Sequence, residues 1–450
     1  MQENNLKSNE EKVMKNKGNF VGLVPFLVFV GIYLGSGILL NARGVEMAFY
    51  QLPAPVAALI GIICAFLLFK GSIEEKFKTF VEGCGHADII VMCIIYLLAG
   101  AFGGVSSAMG GVDSVVNAGL TFIPPQFIPA GLFLIGAFIA TATGTSVGSI
   151  VALGPVAVGL AEKGGLSLPI TLAAVMGGAM FGDNLSIISD TTIAATRTQG
   201  VEMKDKFKAN IKLAAPAAII TLGLLLVMGR PETIAEVESY SYSLVKVLPY
   251  LMVLILAVAG MNVFAVLTGG IVLSGVIGIA YGDFTLLGLG TEVYNGFSKM
   301  QEIFLLSLLT GGLAHMVTKA GGIQWLLDMV EKRVTGRRSA QLGVASLVSL
   351  TDAAVANNTV AIIINGSLAK TLGEKYGVDG KRNAALLDIF SCIVQGIIPY
   401  GAQMLILLSF TNGAVTPFQV IPLLWYQQLL AVFALVSIAR DREVKEAVTA

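Results

Sequence analysis

From Phe20 onward the chain alternates long apolar runs with short polar connections, and a run of about 20 apolar residues is what a helix needs to cross a bilayer. Only 13% of the 450 residues are charged, against about 25% in an ordinary soluble chain. Most of the sequence therefore never meets water, and the fold class is an all-α polytopic membrane protein. Fifty-two glycines fit helices that pack closely or break locally. Net charge is zero and no long basic tract occurs, which excludes nucleic acid as a partner. Cys64, Cys84, Cys93 and Cys392 are scattered without metal-ligand or paired spacing and read as small apolar residues. The first run, Phe20 to Leu40, is longer than a signal-peptide core and lacks a small-residue cleavage site after it, so it reads as a retained span.

Ten crossings are expected, at about 20–40, 55–69, 87–104, 168–196, 211–229, 244–260, 263–281, 303–319, 383–411 and 418–439. Two further stretches, 126–162 and 339–372, are too long for one crossing and carry polar, helix-breaking middles, Thr141–Ser146 and Thr351 to Thr359. A segment that enters, breaks and returns is a re-entrant hairpin, tolerable where it is buried in protein or lines a cavity. Cytoplasmic loops carry the Lys/Arg excess. With a cytoplasmic N-terminus this arrangement leaves five of the 29 basic residues outside (Arg43, Lys163, Arg230, Lys246, Lys299) and the other 24 inside, with the acidic segment Glu232–Glu238 outside. Turning either hairpin into a full crossing spoils that sorting. Both termini are then cytoplasmic, in a bacterial inner membrane.

The two halves repeat at an offset of about 210 residues. Leu97–Gly111 matches Leu308–Gly322, Thr141 falls on Thr351, and Glu162-Lys163 falls near Glu374-Lys375. Because the first hairpin opens outward and the second inward, the repeats are inverted, the plan of carriers whose site lies near the midplane. The units read as an N-terminal tail 1–19, a first span and external loop 20–54, a first repeat 55–229, a connecting span 230–262, a second repeat 263–439 and a C-terminal tail 440–450. Within the repeats lie hairpins 126–162 and 339–372 and broken spans 168–196 and 383–411. Amphipathic segments recur at Ser72–Cys84 and Thr291–Met300; they brace a scaffold in the interface plane, or are ordinary loops.

Polar chemistry concentrates at the interruptions. Gly182–Thr192 breaks an apolar span with Asp183, Asn184, Ser186, Ser189, Asp190 and Thr191. A carboxylate in a bilayer costs about 2.5–3.5 kcal/mol on insertion scales, so it faces a cavity, pairs with a cation or takes up a proton. Oxygen ligands of this kind suit a hard cation such as Na⁺, which makes Asp183 and Asp190 the candidate Na⁺ ligands; capping a half-helix is the competing role for Asp190. The second half offers Asp352, Asn357, Asn358 and Thr359 at its hairpin tip, and Asp388, Ser391, Gln395, Tyr400 and Gln403 along the later span. Its amides suit a polar organic group as well as an ion. Thr143 and Thr145 at the first tip supply uncharged donors. His315 falls inside a crossing and reads as a packing residue, His86 and Asp88 as boundary residues, and Asp113 as solvated.

The Gly182–Thr192 stretch resembles the motif of the NhaC-type sodium/proton antiporter family, approximately G-D-x-x-S-P-x-S-D-T-T, with Ile187 in place of the proline. The resemblance extends over nearly the whole chain in order of elements. It implies a scaffold that often dimerises, a mobile transport domain holding both hairpins and both broken spans, and ion-site roles for Asp183, Ser186, Ser189, Asp190 and Thr191. The second half departs: Thr351-Asp352-Ala353 and Pro399-Tyr400-Gly401 stand where the family carries Ser-Asp-Gln and Pro-Trp-Asn. The leading expectation is secondary transport by alternating, elevator-like access, exchanging Na⁺ for H⁺ with no cofactor. The alternative is Na⁺- or H⁺-coupled movement of a small amino or organic acid. An intramembrane enzyme lacks its zinc, nucleophile-elbow or Walker motif here, and a channel suits broken spans and hairpins less well.

Overall fold

A computed structural model describes residues 18–43, 45, 48, 51–187, 189–231, 241–259 and 261–441. Most of both terminal tails, the acidic segment Glu232–Glu238 and the side chain of Asp88 lie outside the described residues. Every regular element among the described residues is a helix. Among the described residues, eight helices are long and apolar enough to cross a membrane, and ten if two bent pairs each count as a span. The agreement with ten expected crossings conceals two differences. Ala54–Leu68 and Leu244–Leu256 fall short of crossing length, whereas both arms of the first hairpin reach it.

After a 3-10 turn at Phe20–Leu23, the first half comprises α1 (Val24–Ala42), α2 (Ala54–Leu68), α3 (Ile73–Cys84), α4 (Ala87–Ala108), α5 (Gly111–Phe122), α6 (Ile128–Thr143), α7 (Ser146–Gly164), α8 (Leu168–Leu185), α9 (Asp190–Gln199) and α10 (Met203–Met228). The second comprises α11 (Leu244–Val258), α12 (Val263–Tyr281), α13 (Leu286–Lys299), α14 (Gln301–Lys319), α15 (Gly322–Glu331), α16 (Arg337–Val355), α17 (Asn358–Tyr376), α18 (Gly380–Ile397), α19 (Ala402–Ser409), α20 (Pro417–Val420) and α21 (Trp425–Arg440).

Elements recur in the same order from α2 and from α12, and the turns recur with them. Gly110 and Gly321, and Gly165 and Gly377, all take left-handed backbone. At the hairpin tips the match is closest. Gly144 (φ 72°) and Ala356 (φ 51°) end the first arms left-handed; Thr145 and Asn357 then return to extended backbone and cap the second arms. Thr145 Oγ1 accepts from Gly148 N at 3.3 Å and Asn357 Oδ1 from Val360 N at 3.0 Å, each meeting a backbone donor that the helix start leaves open. The first tip uses glycine for its left-handed residue, whereas the second forces an alanine into a region that non-glycine residues rarely occupy.

The amphipathic segments are helices, α3 and α13, and each packs on a span of the other half. Gly83 of α3 lies against Gly311 and His315 of α14, while Gly296 of α13 lies against Gly100 of α4. Small residues let these backbones approach. α3 starts with a capping box, Ser72 Oγ accepting from Glu75 N and Glu75 accepting from Ser72 N. His315 is half-exposed, 3.7 Å from Glu82 of α3. Asp113 is exposed as expected and paired with Lys163. One reading from the charges needs correction. Lys206, one of the 24 basic residues assigned to the cytoplasmic side, sits inside the bundle on α10, fully buried.

Candidate functional site

Two helix breaks and two hairpin tips converge on one cavity of about 130 Å³. A cavity needs about 10–15 Å³ to hold one water, and a water's share of liquid volume is about 30 Å³, so this is room for an ion and a few waters. The first tip contributes Gly144, Thr145 and Ser146, the first break Asp183, Asp190 and Thr191, the second tip Asn357, Asn358 and Thr359, and the second broken span Gln395 and Gln403. Val91, Met92 and Ile95 of α4 close the remaining wall. A larger cavity, about 270 Å³, lies near Lys299, Glu302 and Asn412 and touches none of the candidate residues.

The breaks follow from sequence. α8 ends at Leu185 because Ser186 turns to extended backbone (φ −62°, ψ 138°), and α9 restarts under a Ser189 cap that accepts from Thr192 N. α18 ends alike at Ile397, because Ile398 turns to extended backbone (φ −61°, ψ 126°) just before Pro399, the residue type that disfavours helix before it. Ending a helix inside the bundle frees backbone carbonyls, and side chains take them up here. Ser186 O accepts from Thr192 Oγ1 at 2.7 Å, and Asn184 O accepts from Lys206 Nζ at 2.8 Å and Asn210 Nδ2 at 2.9 Å.

Asp183 is buried at the end of α8, with hydroxyls as its partners. Ser146 Oγ donates to Oδ2 at 2.8 Å and Thr191 Oγ1 to Oδ1 at 3.3 Å. A donor chain reaches it from the other half: Gln395 Nε2 donates to Gln403 Oε1 (2.7 Å), and Gln403 Nε2 to Ser146 Oγ (3.2 Å). Neutral amides and hydroxyls hold the carboxylate in place without cancelling its charge. A hydroxyl carries lone pairs as well as its proton, so Ser146 and Thr191 can turn from donating to the carboxylate to ligating a cation beside it.

The other expected site residues divide into two groups. Thr145, Asp190, Thr191, Asn357, Asn358, Thr359 and Gln403 line the cavity with Asp183. Asp190, however, is exposed in the first turn of α9, where the helix dipole favours an anion; the carboxylate pair that the sequence suggests is one buried acid and one exposed acid. Thr143, Asn184, Ser186, Ser189, Asp352, Asp388 and Tyr400 lie behind the lining. Thr143 Oγ1 donates to its own helix at Ile139 O, Asn184 Nδ2 to Met180 O, and Tyr400 OH to Ala353 O across from the second tip. Asp352 is fully buried, with no hydrogen-bond donor on either oxygen among the described residues. Asp388 is fully buried and ion-paired to Lys206 at 2.9 Å. The sequence reading missed Lys206, Asn210 and Thr192, and passed over Ser146 as a contact of Asp183. The only signal in the sequence for the first two is their i, i+4 spacing, which puts them on one face of a helix.

Comparison with known proteins matches the resemblance carried by Gly182–Thr192. The Na⁺/H⁺ antiporter family model matches residues 7–230. The malate-2H⁺/Na⁺-lactate antiporter of Bacillus subtilis (strain 168) is 22% identical over 437 residues, 90% of this chain and 91% of that protein. The Na⁺/H⁺ antiporter NhaC of the same organism is 26% identical over 381 residues, 77% of this chain and 83% of that one. Among solved structures, the Alcanivorax borkumensis YdaH transporter aligns with a TM-score of 0.45 at 14% identity, covering 83% of this chain and 89% of its own. The family match stops at residue 230, and the departures at Thr351–Ala353 and Pro399–Gly401 lie beyond it.

Proposed function

We propose that this chain, whose residues 7–230 match the Na⁺/H⁺ antiporter family model, is a member of that family and exchanges Na⁺ for H⁺ by alternating access, with Asp183 as the carboxylate for which the two ions compete. It is a secondary transporter and not an enzyme. The observation that carries the site assignment is Asp183 itself, a buried carboxylate held by hydroxyls at the wall of a cavity that both halves build. A buried charge in a bilayer is expensive and signals function. Exchange requires that charge to stay available, and neutral partners leave it so.

Reconstituted vesicles with an imposed Na⁺ gradient and no organic solute should move protons, and the apparent Na⁺ affinity should weaken as pH falls, because each proton bound at Asp183 excludes a cation. The charged groups around it are Asp190 at the same cavity and the Lys206–Asp388 pair behind the break. The second reading, coupled movement of a small organic acid, is favoured by the amides of Asn357, Asn358, Gln395 and Gln403 on the cavity wall and by the malate/lactate relative. Vesicles whose internal pH never responds to Na⁺, but which accumulate one carboxylic acid when Na⁺ is present, would establish that reading instead.

In this proposal α6–α9 and α16–α19 form a transport domain that moves against a scaffold including α4. The repeats are inverted in an inner membrane with both termini cytoplasmic, and the resemblance to carriers whose scaffolds pair is the ground for reading it as a homodimer. Single cysteines at Lys163 and Lys375, in a background without Cys64, Cys84, Cys93 and Cys392, should label from the periplasmic and cytoplasmic faces respectively. Labelling of both from one face rejects the inversion.

A further inference from the structure

Lys206 is a lysine with no access to water, in the first turns of α10, where the helix dipole disfavours a cation. Lysine is almost never fully buried unless paired, and here the pairing is complete. Its ammonium carries three N–H donors and meets three oxygens: Asn184 O at 2.8 Å, Thr192 Oγ1 at 2.6 Å and Asp388 Oδ2 at 2.9 Å. Asn210 stands beside them, its Nδ2 bonded to the same Asn184 O and the same Asp388 Oδ2, at 2.9 and 2.7 Å. That leaves the amide oxygens of Asn184 and Asn210 buried and without donors among the described residues.

A carboxylate oxygen, a carbonyl freed by a helix break and a hydroxyl are oxygen donors of the kind a hard monovalent cation takes, and all three converge on the ammonium. We propose that this cluster is a second cation seat and that the Lys206 ammonium is its permanent occupant, a tethered ion that neutralises Asp388 and keeps it out of exchange. Charge balance gives the seat its purpose. Asp183 and Asp388 bring two negative charges to the two faces of one helix break, and Lys206 cancels one of them. The pair of carboxylates then takes up a single mobile cation or proton, at Asp183.

The inference rests on the Na⁺ reading of the Asp183 site but is tested separately from it, by counting ²²Na⁺ bound per purified chain with Na⁺ as the sole monovalent metal. Lys206→Gln empties the seat and leaves Asp388 charged, so it should bind one Na⁺ more than the natural protein. Lys206→Gln combined with Asp388→Asn removes the charge that holds that ion, and the count should return to the natural value. A Lys206→Gln count equal to that of the natural protein overturns the inference and leaves Asp183 as it was. A natural protein that binds no Na⁺, beside a Lys206→Gln chain that binds one, supports the seat and removes the exchange reading. If Lys206→Gln unfolds in choline chloride, Na⁺ should restore its monodisperse chromatographic peak, and a chain that stays unfolded in Na⁺ also overturns the inference.

Discussion

Asp183→Asn should yield a folded protein, extracted in normal amounts, that no longer exchanges Na⁺ for H⁺ at any pH. Stability and activity separate because the substitution has opposing structural effects of similar size. Asparagine keeps one oxygen to accept from Ser146 or Thr191 but turns an N–H₂ toward the other hydroxyl, which must rotate to accept. That exchange costs about 1–3 kcal/mol if the rotation fails. Against it, removing a carboxylate from the bundle interior relieves about 2.5–3.5 kcal/mol on insertion scales. The two nearly cancel, so the thermal midpoint should move by only a few degrees. Transport has no such compensation: without that charge the cavity keeps no buried carboxylate for a cation or a proton, since its other acid, Asp190, is exposed. A variant that still acidifies or alkalinises vesicles in response to Na⁺ returns Asp183 to a structural role and moves the exchange site elsewhere in the cavity. Thr191→Val is the graded companion. It removes a donor 3.3 Å from Oδ1 but leaves the charge, and should weaken Na⁺ affinity while exchange persists.

How much of this was legible beforehand depends on whether a residue announces itself by breaking a pattern. The hairpin tips interrupt apolar runs with Thr141–Ser146 and Asn357-Asn358, and the later break ends at Pro399; each is a local signal, and each lies where the chain reverses or the helix stops. Asp183 announces itself as an acid in an apolar span. Lys206 does not, because it stands in Lys204-Asp205-Lys206-Phe207-Lys208, a run whose composition matches a cytoplasmic loop. Counting basic residues by side of the membrane cannot tell a loop lysine from one at the start of a helix that points inward. Only the tertiary fold, which brings Asp388 from 182 residues downstream to within 2.9 Å, distinguishes Lys206 from its neighbours. Asp190 is a related case: the sequence offers it both as an ion ligand and as a half-helix cap, and the break between the two acids buries Asp183 and leaves Asp190 exposed at a helix start beside the cavity. The Asp183–Ser146 contact was hidden for a related reason, since it depends on how closely two helices approach.

That approach rests on glycine, and replacing it should have the largest structural effect in the molecule. Gly178 and Gly182 lie one turn apart on α8, a small-xxx-small pair facing α6. A Cβ on Gly178 would run into the Phe133 carbonyl and lie 2.9 Å from Phe133 Cα; one on Gly182 would lie 2.5 Å from Ala140 Cβ and 2.7 Å from Thr141 N. The obstacles are largely backbone, so no rotamer change relieves them and the helices must separate. Overpacking that side chains can absorb costs about 1–3 kcal/mol, and here the cost should exceed that range. Separation would also draw Ser146 away from Asp183, since the first tip is carried by α6. Gly178→Val should therefore give no monodisperse protein after mild detergent extraction, and Gly178→Ala a destabilised protein with weakened exchange. Gly131→Val on α6 is the control: among the described residues nothing lies within 4 Å of a Cβ built there, and valine is a better helix former than glycine by a few tenths of a kcal/mol. It should behave as the natural protein does. Equal behaviour of Gly178→Val and Gly131→Val in size-exclusion and thermal unfolding would mean that α6 and α8 are not held at this distance, and that the hydroxyl contacts to Asp183 do not depend on their contact.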